Sequence, residues 1–101
     1  SYNNKIKNIQ HMTNLKILYC RGKSEISDEN IKVLNLIKLS ASRNDKIKNI
    51  QHLVNLKILD CSFECGISDE NIQSLNLVKL NACDNKKIKN MRKPCHRFSF
   101  L

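Results

Sequence analysis

Apolar positions in this chain fall into columns. An Asn-Leu pair recurs at Asn14-Leu15, Asn35-Leu36, Asn55-Leu56 and Asn76-Leu77, at spacings of 21, 20 and 21 residues. With each of these Leu residues numbered 1, position 4 is Leu18, Leu39, Leu59 and Leu80. Position 6 is Cys20, Ala41, Cys61 and Ala82, and position 12 is Ile26, Ile47, Ile67 and Ile88. Two more columns follow: Ile31, Ile50 and Ile72, then Leu34, Leu53 and Leu75. The Leu-x-Cys/Ala end of each unit has the period of two that a strand requires. About 20 residues then bring the chain round to the next strand, one spacing of roughly 4.8 Å along. Every unit runs the same way, so the pattern predicts parallel strands. Ser27-Asp28-Glu29-Asn30 and Ser68-Asp69-Glu70-Asn71 read as helix starts, with a capping Ser and acids in the first turn. The alternate units, KIKNIQHMT and KIKNIQHLV, have weaker caps and predict shorter helices or turns.

A longer period lies over the short one. Residues 5–45 realign with 46–86 at an offset of 41, and 26 of the 41 positions are identical. Such a period indicates stacked units sharing one continuous core, since no unit can bury its apolar side alone. The expected organisation is a partial repeat at 1–13, repeats at 14–34, 35–54, 55–75 and 76–91, and a divergent basic tail at 92–101. Asn3 stands three before Ile6 as Asn44 stands before Ile47, so the register begins partway through an earlier unit. That predicts a fragment, or a short relative, of a longer array. After Asn90 the repeat gives way to MRKPCHRFSFL. Met91 still suits the Ile50 column, and Pro94 ends the pattern. The tail is either a cap, with Phe98, Phe100 and Leu101 over the last open face, or a frayed remnant.

LKILYC, LIKLSA, LKILDC and LVKLNA resemble the L-x-x-L-x-L strand of leucine-rich repeats. Asn44 and Asn85 fall at position 9, where that family carries its Asn. The resemblance runs from Asn3 to Met91, and the short units are similar to internalin-type repeats and to leucine-rich repeat proteins of amoebae and large DNA viruses. Two departures stand out. Position 6 is small, and position 9 is Lys23 and Glu64 in the other units, so an Asn ladder is broken in alternate turns. The resemblance implies an α/β repeat solenoid, with a parallel sheet on the concave face and short helices or turns on the convex face. It also implies a protein-protein interaction module.

Composition narrows the rest. At 101 residues the chain is one domain. Aromatics are scarce, so aliphatic columns must do the packing. No apolar run approaches the 18 or so residues of a membrane span, and no membrane partner is expected. Cys20 and Cys61 sit in the core column two strand spacings apart, roughly 9–10 Å, beyond disulfide reach. They read as small buried hydrophobes in a reducing compartment, hence a cytoplasmic protein (host cytoplasm if viral). Cys65 and Cys83 are the cysteines open to exposure. Cys61 and Cys65 are spaced C-x-x-x-C and Cys95-His96 lies in the tail, but no second pair matches, so neither metal nor cofactor is expected. His11 and His52 share one repeat position and read as turn residues. The adjacent acids Asp28-Glu29 and Asp69-Glu70 are accounted for by the helix starts.

The net charge of +9 raises a polyanion or nucleic-acid reading. Lys5, Lys7, Lys46, Lys48, Lys87 and Lys89 flank the position-12 Ile residues and predict a basic ridge along the outer turns, extended by Arg92, Lys93 and Arg97. Aromatic residues interleaved for base stacking are absent, which sets nucleic acid below a protein partner. A partner-binding surface is expected on the outward strand face, at positions 3, 5, 7 and 8. The first unit contributes Ile17, Tyr19, Arg21 and Gly22; the second, Lys38, Ser40, Ser42 and Arg43. The third contributes Ile58, Asp60, Ser62 and Phe63; the fourth, Lys79, Asn81, Cys83 and Asp84. Tyr19, Arg21, Arg43 and Phe63 are types that anchor interfaces. No group reads as catalytic. The expectation is a non-enzymatic module, monomeric unless its open ends associate. The alternative is the recognition arm of a larger adaptor, such as a ubiquitin-ligase receptor.

Overall fold

The computed structural model describes residues 14–22 and 25–89, together with the backbone of residues 97–99. Four three-residue strands carry the position-4 column: β1 (Ile17–Tyr19), β2 (Lys38–Ser40), β3 (Ile58–Asp60) and β4 (Lys79–Asn81). They pair in parallel and in sequence order. The register sets Leu18 beside Leu39, Leu39 beside Leu59, and Leu59 beside Leu80. The recurring Leu is therefore one continuous buried row. Cys20, Ala41, Cys61 and Ala82 are buried beside it, as are Ile26, Ile47, Ile67 and Ile88. Small residues at position 6 leave room for the Ile at position 12 where the chain turns back over the sheet.

A fifth strand, β5 (Arg97–Ser99), joins β4 antiparallel, with Phe98 opposite Leu80. The tail thus extends the sheet instead of leaving β4 as an edge. A parallel sheet throughout was expected. The antiparallel addition lies in a stretch without the Leu-x-x-Leu-x-Cys signature, so periodicity could not foresee it. The readings placed on Lys5, Ile6, Lys7, His11, Met91, Arg92, Lys93, Pro94, Phe100 and Leu101 fall outside the described residues.

The helix starts form single turns, α1 (Asp28–Ile31) and α2 (Asp69–Ile72). In each, the Ser backbone N–H donates to the side-chain oxygen of the Asn three residues on, at 2.8 Å for both Ser27–Asn30 and Ser68–Asn71. The alternate unit at 47–54 has turns in place of a helix, closed by Leu53 N–H to the Ile50 carbonyl at 3.0 Å.

Junctions between units are of two kinds. From the first unit to the second, and from the third to the fourth, a buried Asn seals the seam. Asn44 Nδ2 donates to the Cys20 and Ile26 carbonyls at 2.7 and 3.1 Å, while its Oδ1 accepts the Lys46 N–H at 2.9 Å. Asn85 repeats this with Cys61 (2.6 Å), Ile67 (3.0 Å) and Lys87 (2.9 Å). The broken Asn ladder is therefore half-density by design: one Asn serves the carbonyls of the unit that lacks it. Between the second and third units the backbones close directly. Gly66 N–H donates to the Asn44 carbonyl, and a Cβ at Gly66 would stand 2.8 Å from both the Asp45 and Ile47 oxygens. Glycine is the residue that fits there.

Asp28 and Asp69 do more than begin helices. Asp28 Oδ1 accepts the Lys48 and Asn49 N–H groups at 2.8 and 2.9 Å, and Asp69 Oδ2 accepts the Lys89 N–H at 2.8 Å. Each ties its own unit to the following one. His52 does likewise in reverse, its Nε2 lying 3.0 Å from the Ile31 carbonyl. A carbonyl can only accept, so Nε2 carries the proton.

Candidate functional site

Only positions 3 and 5 lie on the strands. Along one row of the sheet stand Ile17, Lys38, Ile58 and Lys79, and along the next Tyr19, Ser40, Asp60 and Asn81. Ile17 and Tyr19 are open, at 51% and 47% exposure, and Lys79 is exposed too. Lys38, Ile58, Asp60 and Asn81 are half-buried. Lys38 Nζ lies 5.2 Å from the centre of the Tyr19 ring, a cation held over a π face. Ser40 is buried, a short side chain between the longer Tyr19 and Asp60 in its row.

Position 7 departs from the expected outward contact. Arg21 is exposed, but Ser42, Ser62 and Cys83 are buried. Backbone pairing runs on past the strands here, the Gly22, Arg43 and Phe63 N–H groups donating to the Ser42, Ser62 and Cys83 carbonyls, and the side chains are covered. The serines hydrogen-bond each other instead of offering themselves to a partner. Ser62 Oγ lies 2.7 Å from Asp60 Oδ1 and 3.0 Å from Ser42 Oγ. The single Ser62 hydroxyl proton goes to the carboxylate, so Ser42 donates to Ser62. The chain of donors runs Ser42 to Ser62 to Asp60.

Position 8 differs again. Gly22, Arg43, Phe63 and Asp84 all have positive φ, at 72°, 63°, 61° and 58°. This column is a repeated left-handed turn at the carboxyl end of each strand, not part of the sheet face. Asp tolerates that region and Gly prefers it; Arg and the bulky Phe do not. Arg43 and Phe63 stack on each other, the guanidinium carbon 4.3 Å from the ring centre. They line a cleft of about 950 Å³ with Gly22, Asp84 and residues of the loops that follow: Asp45, Lys46, Glu64, Cys65, Asn85, Lys86 and Lys87. The sequence placed none of those loop residues in the partner-binding surface, though Lys46 and Lys87 were read in the basic ridge, Glu64 and Asn85 at position 9 and Cys65 as open to exposure. The signal was present in the column itself, where Gly22 and Asp84 are two residue types suited to a left-handed turn.

The cysteines are inert where they were read as core. Cys20, Cys61 and Cys65 are free and buried. Burial pushes the Cys20 thiol up to about 12 and the Cys65 thiol to about 11, and it raises Cys61 as well. None is a thiolate near neutral pH, so none is a ready nucleophile. The exposure considered for Cys65 and Cys83 is not found. Cys83 is also disulfide-bonded. Cysteine usage therefore no longer points to one redox compartment. Among the described residues, no three His, Cys, Asp or Glu side chains gather as a metal site, and no helix is long and apolar enough to cross a membrane.

The described part of the lysine ridge, Lys46, Lys48, Lys87 and Lys89, is exposed along the turns. Asp28 and Asp69 are threaded between these turns through the backbone contacts above, which dilutes the positive stripe. Lys87 Nζ also approaches the Cys65 carbonyl at 3.5 Å. Comparison of the chain with protein-family models, with curated proteins and with solved structures returns no match.

Proposed function

We propose that the chain is a leucine-rich repeat solenoid acting as a non-enzymatic protein-binding module. Its partner lies on the concave sheet face and against the rim of the adjoining cleft. One observation carries the reading: Ile17 and Tyr19 stand half exposed on the sheet face and Phe63 a third exposed in the turn beyond it, while the position-4, position-6 and position-12 columns of the same units are buried. Large amphipathic side chains held open beside Arg43 are what interface anchors consist of. The serine–aspartate chain lends no support to an enzyme, since its hydroxyls are buried and none of its three residues lines the cleft. The polyanion reading is weaker, because acids are interleaved with the lysine ridge.

The test is partner capture from lysates of the source cells. The full chain is compared with a variant carrying Tyr19→Ala, Arg43→Ala and Phe63→Ala. All three positions are exposed, so the variant should keep the parent's circular dichroism. Capture should fall at least about tenfold, which corresponds to a loss of about 1.4 kcal/mol. Undiminished capture by the folded variant would remove the assignment.

A further inference from the structure

We infer that the outward sheet face fits an acidic peptide segment in the polyproline II conformation, with a carboxylate at every third residue. This rests on the protein-binding reading and names the chemistry of its partner.

The row Ile17, Lys38, Ile58, Lys79 alternates apolar and cationic side chains across the four parallel strands. Adjacent strands are about 4.8 Å apart, so the two lysines repeat at about 9.6 Å, and so do the two isoleucines. The alternation follows from the 41-residue double unit, since each half supplies one Ile strand and one Lys strand. A polyproline II helix advances 3.1 Å per residue with three residues per turn, so one of its faces repeats at about 9.3 Å. An extended strand repeats on one face at about 6.7 Å, and an α-helix turns in 5.4 Å. Of the three regular peptide conformations, polyproline II keeps step with both cations.

Shape favours the same orientation. Each strand is three residues long, so only two outward rows exist, about 6.7 Å apart. Across the strands the row is about 14 Å long. A ligand therefore gains contact by lying across the strands. Charge favours an acid. Strands β1 to β4 carry two cations and one acid, Asp60, whose Oδ1 is taken by the Ser62 N–H and hydroxyl at 3.1 and 2.7 Å. Neither Lys38 nor Lys79 forms a salt bridge with a described residue. Between the carboxylates, prolyl or other apolar residues meet Ile17, Ile58 and the exposed Tyr19 ring, the kind of platform on which polyproline II ligands dock.

The probe is a fluorescein-labelled (Pro-Pro-Glu)4 peptide titrated with the full chain at 150 mM salt and followed by anisotropy. A peptide of the same composition with its four Glu contiguous is the control. The spaced peptide should bind at least about tenfold tighter. Lys38→Glu with Lys79→Glu should abolish that preference and create one for (Pro-Pro-Lys)4. Lys48→Ala with Lys89→Ala, exposed off this face and outside the cleft, should leave it unchanged. Equal binding of both acidic peptides, equal competition by an oligothymidylate, indifference to the Lys38 and Lys79 reversal, or no peptide binding would each overturn the inference. Partner capture that still depends on Tyr19, Arg43 and Phe63 would then leave the protein-binding reading standing alone.

Discussion

Residues 28–31 and 69–72 are the same tetrapeptide, Asp-Glu-Asn-Ile, in the same single-turn helix with the same 2.8 Å cap. Yet Ile31 is wholly buried and Leu34 nearly so, while Ile72 and Leu75 are only half-buried. Their conformation is set by their own residues; the burial of α1 is completed by the unit that follows it. Residues 46–54 lie over α1, joined through Asp28 and His52, and put Ile50 and Leu53 into the same core. The Asn seams look the other way. Asn44 and Asn85 both reach back to the preceding unit, and both are buried. An array of this kind is thus polar along its length, with side chains that grip backward and apolar faces that wait for cover from ahead.

The largest expected effect tests that asymmetry. Ile31→Ala should cost about 2–5 kcal/mol, in the range for removing a buried aliphatic. Ile72→Ala should cost less than half as much, because part of its side chain already meets solvent. Urea denaturation of both variants at one temperature checks this. Equal costs would mean that burial in the second half is as complete as in the first, and the comparison would fail.

Much of the first half of this picture was legible in the residues. Leu18, Leu39, Leu59 and Leu80 recur at spacings that leave one parallel register, because slipping a strand by one residue would turn its Leu outward. Cys20 and Cys61 were readable as core because they occupy the column of Ala41 and Ala82. The candidate site was legible only on the strands themselves. Counting alternation on to position 7 treated Ser42, Ser62 and Cys83 as outward. Alternation does set Ser62 on the side of Asp60, whose carboxylate it bonds, but it is silent on burial, and all three side chains are covered. The roles of Asp28 and Asp69 were hidden for another reason. Their acceptors serve N–H groups about twenty residues away, a distance at which local propensity is silent. β5 has no repeat signature at all.

The next effect in size concerns the two Asn seams. Asn44→Ala and Asn85→Ala each orphan two buried carbonyls and one N–H, at about 1–3 kcal/mol per group left without a partner. Some of these groups will recover water, so about 2–4 kcal/mol is expected for each variant. Because both side chains face backward into equivalent surroundings, the two costs should agree to within about 1 kcal/mol, unlike the Ile pair. Thermal melts of the two variants sharpen the contrast. A large excess for Asn44 would show that position in the stack, not the bond set, governs the seam.

The smallest effect bears most on function. The four left-handed turns are equivalent in backbone, with φ between 58° and 72°. The first uses Gly22, which meets no penalty there. The third uses Phe63, for which the conformation costs about 1–2 kcal/mol. Its stack with Arg43 recovers part of this, about 0.5–1 kcal/mol at an exposed site. Phe63→Gly should therefore leave stability unchanged or raise it by about 1 kcal/mol, whereas Gly22→Ala should lower it by about the same amount. Stability alone therefore favours glycine at both turns, and the chain has it at one. On the proposed reading, a side chain kept at a strained position without a folding advantage serves the partner. Phe63→Gly should accordingly retain or gain melting temperature while partner capture falls. If it instead loses stability by more than about 1 kcal/mol, Phe63 is a packing residue, and the second half of the molecule has a structural need at this turn that the first half lacks.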